Sequence, residues 1–128
     1  MKQTKEWSAG MGALIEFSNS EIQIRLVNDK GIIDLSICSV GSEDFHDSQL
    51  IFNMIELNRL QTENKKERKR ILSTVRGVKE QMILLEEQYA YLTKLFSKSN
   101  YSKTSEQIEA IGEERMEYQF GKNWKYEG

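Results

Sequence analysis

The chain has 128 residues, of which 38% are hydrophobic and 30% are charged, and its formal net charge is −2 at pH 7. A chain of this length predicts one domain, residues 1–128, with a core large enough to fold without a disulfide or a metal. The charge argues against a polyanion-binding role for the whole chain, and the longest apolar run, about four residues, is far below the roughly 20 of a membrane-spanning helix. Residues 7–19 also lack the apolar region of a signal peptide. We therefore expect a cytoplasmic protein that binds neither nucleic acid nor membrane.

The first third of the chain predicts strands over about residues 12–38. Three short, β-branched runs are bounded by turn residues: Gly12 to Phe17, Glu21 to Val27 and Ile32 to Cys38. Apolar and polar residues alternate in the second and third runs, as in a sheet with one face covered by helices. Asn28 favours a tight turn, and Gly31 supplies its left-handed residue. The pattern predicts a three-stranded antiparallel meander.

Helices are predicted over about residues 47–60, 63–98 and 105–120. Asp47 or Ser48 can cap the first helix, and Gly121 can end the last. The middle helix is predicted from apolar residues spaced alternately four and three apart, a heptad pattern: Ile71, Val75, Val78, Met82, Leu85, Tyr89, Leu92 and Phe96. Residues 61–70 carry no core residues and fit either a loop or the first turns of this helix. The sequence thus predicts an α+β fold with two or three helices, one of them long, covering the sheet.

No complete catalytic or metal-binding set is present. His46 lies between Asp44 and Asp47, but no nucleophile or second histidine accompanies it, so an exposed structural role is favoured. Cys38 ends a strand and is expected to be a half-buried structural thiol. Glu114 and Glu117 share a helix face, but a di-iron site needs Glu-x-x-His pairs, which one histidine cannot supply. We expect no enzyme activity, no cofactor and no metal.

Uneven charge favours a partner protein instead. Acidic residues cluster in the connection before the first helix and again in the last helix, and tryptophan is a frequent interface anchor. The candidate partner-binding residues are Glu43, Asp44, Asp47, Glu113, Glu114, Glu117 and Trp124. The basic run at residues 65–70 lacks interleaved aromatic residues, so it is read as a solvated helix surface rather than a phosphate-binding segment.

One stretch carries a resemblance. Residues 21–37 (EIQIRLVNDKGIIDLSI), followed by an acidic loop and the helix DSQLIFNMIEL, resemble small bacterial proteins that are encoded beside secreted polymorphic toxins. These proteins are thought to be immunity proteins, and the resemblance covers about residues 21–60. It implies a role in blocking a cognate toxin by stoichiometric occlusion. If the toxin is a basic nuclease domain, the acidic residues would steer and anchor it.

Two other functions remain open. The heptad pattern would also suit a structural or regulatory homodimer built on the long helix, although intramolecular packing of that helix is favoured. A small ligand-binding or enzymatic domain with a pocket between sheet and helices is the third possibility.

Overall fold

A computed structural model describes residues 2–9, 12–29, 31–42 and 44–121, with backbone alone for residues 2–9, 12, 13 and 29. This part of the chain has an α+β fold, with a sheet followed by helices. The strands are β1 (Lys2–Ala9), β2 (Gly12–Ser18), β3 (Ile22–Asp29), β4 (Ile32–Ser39) and the two-residue β5 (His46–Asp47). The helices are α1 (Ser48–Leu60), α2 (Lys65–Ser73), α3 (Val78–Glu87), α4 (Tyr89–Leu95) and α5 (Tyr101–Phe120).

The sheet follows the order of the chain, β1-β2-β3-β4-β5, and every neighbouring pair is antiparallel. The predicted meander corresponds to β2, β3 and β4, and the model adds β1 and β5 at its edges. Sequence reasoning missed β1 because its residues KQTKEWSA have no clear apolar alternation, and β5 is too short to give any pattern. Gly31 has the expected left-handed backbone, with φ of 86°, and its N–H donates to Asn28 Oδ1 at 3.1 Å.

The core forms where the helices cover the apolar face of the sheet. Ile24 pairs with Ile37 and Leu26 with Leu35 across β3 and β4, so the alternating apolar residues share one face. These strands form one cluster with Ile51, Met54, Leu57, Ile71, Leu72, Leu92, Phe96, Ile108 and Ile111 from the helices. Burial of this apolar surface is the main stabilising contribution to the fold.

The first and last predicted helices are confirmed with small changes in their bounds. Asp47 caps α1 by accepting a hydrogen bond from the Gln49 N–H at 3.1 Å. Helix α5 begins at Tyr101, four residues earlier than predicted, and ends at Gly121, which has φ of 83°. Thr104 is therefore inside the helix, where its hydroxyl donates to the Leu95 carbonyl at 2.7 Å.

The prediction of one helix over residues 63–98 is wrong. Residues 61–64 form a loop, and three helices follow, α2, α3 and α4. The main break is the α2–α3 linker, residues 74–77, which begins with Thr74 in an extended conformation (ψ 126°) and ends with Gly77 as the N-cap of α3. The second break is the single residue Gln88, whose carbonyl still accepts the N–H of Leu92 at 2.8 Å.

Contacts with α1 explain the linker. The side-chain amide of Gln49 bonds both backbone groups of Arg76: its Oε1 accepts the N–H at 3.0 Å, and its Nε2 donates to the carbonyl at 2.8 Å. The Arg76 guanidinium donates to Asn53 Oδ1 at 2.7 Å and to Glu56 Oε2 at 3.1 Å. Because these three residues of α1 bond the backbone and the guanidinium of Arg76, its backbone groups do not need helical hydrogen bonds.

Candidate protein-binding surface

The break at the linker turns part of the heptad pattern outward. Ile71, Leu85, Leu92 and Phe96 are buried, but Val75 is 78% exposed and Met82 is 41% exposed. Their places toward the core are taken by Arg76 and Gln81, both buried. Gln81 accepts a hydrogen bond from the Ser48 hydroxyl, and its own amide N–H donates to the Arg76 carbonyl at 3.0 Å.

The result is an apolar surface, which we call the α3 face: Val75, Val78, Met82 and Ile83. Ile83 is 48% exposed and Val78 is also exposed. A groove of about 500 Å³ runs along this face, and the hydrophobic part of its lining comes from Met82, Ile83, Leu85 and Tyr89. Exposed apolar surface that is grouped on one helix, rather than scattered singly, is typical of an interaction site.

Charged side chains border the groove. Helix α3 carries Lys79 against Glu80, Glu86 and Glu87, a net charge of −2. Of these, Lys79 and Glu86 line the groove, so its rim carries both signs of charge. An apolar centre with a charged rim resembles the usual anatomy of protein–protein interfaces.

The acidic residues predicted to bind a partner do not form one surface. Asp44 and Asp47 are exposed near the start of α5, where the Tyr101 hydroxyl donates to the Asp44 carbonyl at 3.3 Å. Glu114 is 13 residues further along α5, about 20 Å at 1.5 Å per residue. Asp47 also serves as the cap of α1. The two acidic groups would therefore contact different parts of a partner.

Glu114 is engaged within the protein. Arg68 donates to both of its carboxylate oxygens, from Nε at 2.8 Å and from Nη2 at 2.7 Å, and the Tyr118 hydroxyl donates to Oε2 at 2.6 Å. The hydrogen bond from Arg68 is the main cause that lowers the pKa of Glu114. Glu113 and Glu117 are exposed, and Glu43 and Trp124 lie outside the described residues. Glu114 thus stabilises the contact of α2 with α5.

His46 is part of an aromatic cluster rather than an exposed side chain. Its ring lies 6.2 Å from that of Phe96 and 6.1 Å from that of Tyr101, and its Nε2 is 3.2 Å from the Tyr101 hydroxyl. Burial lowers the pKa of His46 from the usual 6.5, against the opposing effect of the Asp44 and Glu109 carboxylates. No nucleophile with a general base beside it is found in this cluster as the structure describes it.

Cys38 is fully buried on the side of β4 opposite to the helices. Its Sγ lies 3.5 Å from Gln23 Oε1 and 3.6 Å from the Ser42 carbonyl. Burial raises the pKa of this thiol to about 11, so the reactive thiolate is scarce at neutral pH. The structural role expected for Cys38 is consistent with this environment, although its burial is complete rather than partial.

Two further kinds of site are missing from the part of the chain that the structure describes. No group of three or more His, Cys, Asp and Glu side chains among these residues could hold a metal ion. None of the helices within the same ranges is both long and apolar enough to cross a membrane.

Sequence reasoning missed the α3 face because it assigned Val75, Val78 and Met82 to the core. A signal for the true arrangement exists on α1. The polar residues Gln49, Asn53 and Glu56 are spaced four and three apart, which marks a polar stripe on a helix that otherwise faces the core.

Comparison of the chain with models of protein families, with curated proteins and with solved structures finds no match.

Proposed function

We propose that this chain is a non-enzymatic protein-binding module that binds its partner through the α3 face. The observation that carries the proposal is the exposure of Met82 and Ile83 beside an open apolar groove on α3, a helix with a net charge of −2. In a small domain, large apolar side chains in such a group are costly for solubility unless a partner covers them. A partner with an apolar patch surrounded by basic residues fits this surface best.

More concretely, the module is an immunity protein that neutralises a bacterial toxin by stoichiometric occlusion in the cytoplasm. The resemblance of residues 21–60 to immunity proteins supports this role. The net charge of −2 on α3 supports a basic toxin domain as the partner, since complementary charge speeds encounter and fixes orientation. The remaining exposed acids, including Asp44 and Glu117, add to the long-range attraction without having to touch the toxin.

A homodimer is the second candidate. Within the predicted heptad pattern, the α3 face is also the only surface available for its interface. Ile71, Leu85 and Phe96 are buried, so the exposed part of the stripe is limited to the linker and α3. Helix α3 has ten residues and is about 15 Å long. A stable interface usually buries about 800 Å² on each partner, which a seam of this length does not supply alone. We therefore favour a different protein as the occupant.

The test compares tagged wild-type protein with Ile83→Lys as baits in a bacterial lysate. Lysine at position 83 removes an apolar contact and opposes a basic partner, so we expect the variant to lose a basic protein that the wild type retains in a 1:1 complex. Once the partner is identified, its gene should be toxic when expressed alone and harmless when expressed together with the wild-type chain. The affinity loss for one buried apolar anchor replaced by a charge is about 100-fold or more.

Ile32→Lys is the matched control, because Ile32 is another exposed isoleucine, 68% exposed, in the hairpin between β3 and β4. It should bind and neutralise like the wild type. A partner that binds both variants equally would exclude the α3 face as the interface. A partner whose toxicity persists when the complex forms would exclude the immunity role.

A further inference from the structure

A second pocket lies on the other flank of α3, between α1, α2 and α3, and three arginines line it. It has a volume of about 370 Å³, within the range of roughly 300–1,000 Å³ that is usual for small-molecule sites. Arg59 comes from the last turn of α1, Arg70 from the last turn of α2, and Arg76 from the linker. The break between α2 and α3 is therefore what brings Arg76 to this pocket.

Arg76 is held rigidly. Its side chain is 5% exposed and donates to Asn53 and Glu56 from Nη1 and Nη2. A guanidinium has five N–H donors, and these two bonds use two of them. Because Glu56 already neutralises Arg76, this arginine orients a ligand more than it adds net positive charge to the pocket.

Arg59 and Arg70 supply the positive charge. Arg59 makes no ion pair with any residue in the described ranges, and Arg70 has only a loose one, with Nη2 3.9 Å from Glu67 Oε1. Both side chains are solvated, so neither has to leave a strong partner in order to bind an anion. Glu80 is the one opposing charge on the lining besides Glu56, and it lies in the first turn of α3, where the helix dipole favours an acid.

The uncharged part of the lining is mixed, with Thr74 and Gln88 beside three apolar side chains. These are Phe52, Ile55 and Leu84, of which Phe52 is buried in the core while the other two are partly exposed. A ring can pack against such side chains while an attached oxyanion reaches the arginines. Arginine binds phosphate and carboxylate groups with two parallel hydrogen bonds, which gives both affinity and orientation.

We infer that the pocket between α1, α2 and α3 binds a small molecule with one oxyanion group, phosphate or carboxylate, attached to an apolar ring. The site is separate from the α3 face, and the inference does not depend on the proposed toxin partner.

The test titrates the full chain with phenyl phosphate or benzoate as the probe. Amide chemical shifts measured by NMR report the binding. We expect saturable shifts that map to the pocket, with benzyl alcohol giving none. Arg59→Ala and Arg70→Ala should each weaken binding about tenfold, as expected for the loss of one charge-assisted contact. Glu80→Gln should strengthen binding, since it removes the opposing charge. Tighter binding of one probe identifies the preferred oxyanion.

Lys66→Ala with Lys69→Ala is the matched control. Both lysines are exposed on α2 and outside the pocket lining, and salt near physiological strength screens their charge over about 8 Å. Binding should be unchanged in this double variant. The inference is overturned if neither probe shifts the pocket amides in the millimolar range, if benzyl alcohol binds as well as phenyl phosphate, or if the arginine variants bind like the wild type.

Discussion

At the scale of single residues, Glu114 illustrates how a surface acid becomes a structural one. It accepts three hydrogen bonds, from Arg68 Nε and Nη2 and from the Tyr118 hydroxyl. Arg68 also donates to the Thr62 carbonyl at 3.0 Å, so the same group ties the loop after α1 to α2 and α5. A two-pronged arginine–carboxylate pair of this kind contributes more than an exposed ion pair.

We predict that Glu114→Gln lowers the free energy of unfolding at pH 7 by about 1–2 kcal/mol, because it removes the charge of a hydrogen-bonded pair that is only partly exposed. The pKa of Glu114 is lowered in the folded state, so the contribution is complete above the usual value of 4.5. It is then lost as the pH falls from 4.5 through the folded-state pKa. Denaturant unfolding at a series of pH values measures the difference between the variant and the wild type.

Glu117→Gln is the control for this prediction. Glu117 is exposed one turn further along α5, and the change should alter stability by less than about 0.5 kcal/mol at any pH. If the difference between Glu114→Gln and the wild type did not shrink on acidification, the ionised carboxylate would not be its source.

At the scale of elements, the α2–α3 linker determines both proposed sites. It turns Val75 outward onto the α3 face and places Arg76 in the pocket between α1, α2 and α3. The linker is fixed by side chains of α1 that lie 20 to 27 residues away in the chain. Thr74, Val75 and Gly77 are weak helix formers and permit the break, but propensity alone would also allow a continuous helix.

We predict that Gln49→Ala lowers the free energy of unfolding by about 1–2 kcal/mol, since it removes the partner of both backbone groups of Arg76. Compared with the wild type, the variant should show a larger increase in amide hydrogen exchange in the linker than in α1. Denaturant unfolding and hydrogen exchange measure the two effects.

Gln119→Ala changes the same residue type at an exposed position of α5 and should be neutral within about 0.5 kcal/mol. Equal stability of Gln49→Ala and the wild type would mean that the linker is held by the core alone.

These contacts explain which features were predictable from the sequence. Strands β3 and β4 follow from alternation of apolar residues, β2 follows from a β-branched run bounded by turn residues, and α1 follows from its cap at Asp47. All of these signals are local. The heptad spacing from Ile71 to Phe96 is also local. It gives no sign that the Gln49 side chain bonds the backbone groups of Arg76 in place of helical hydrogen bonds. The same limit applies to the acids: the sequence does not reveal that Arg68 approaches Glu114 from 46 residues away.

At the scale of the whole molecule, Cys38 is a probe of complete unfolding. It is fully buried on strand β4, and burial raises its pKa to about 11. We predict that a thiol reagent labels the native protein at pH 8 only through global opening, so the logarithm of the labelling rate should fall linearly with the free energy of unfolding measured in urea.

A Ser99→Cys variant in a Cys38→Ala background provides the control, because residue 99 is exposed in the loop before α5 and should react at the rate of a free thiol. Fast labelling of Cys38 without any dependence on urea would instead indicate local opening of the segment around Ser42, whose carbonyl Cys38 contacts.

The order of the sheet has a consequence for how the protein is made. Each strand pairs with the strand that precedes it in the chain, so every pairing closes a short loop and relative contact order within the sheet is low. During synthesis the hairpins can form one after another as they leave the ribosome, whereas the apolar face stays open until α1 has emerged. Nascent chains are therefore most exposed to aggregation in the interval before the helices cover Ile24 and Ile37.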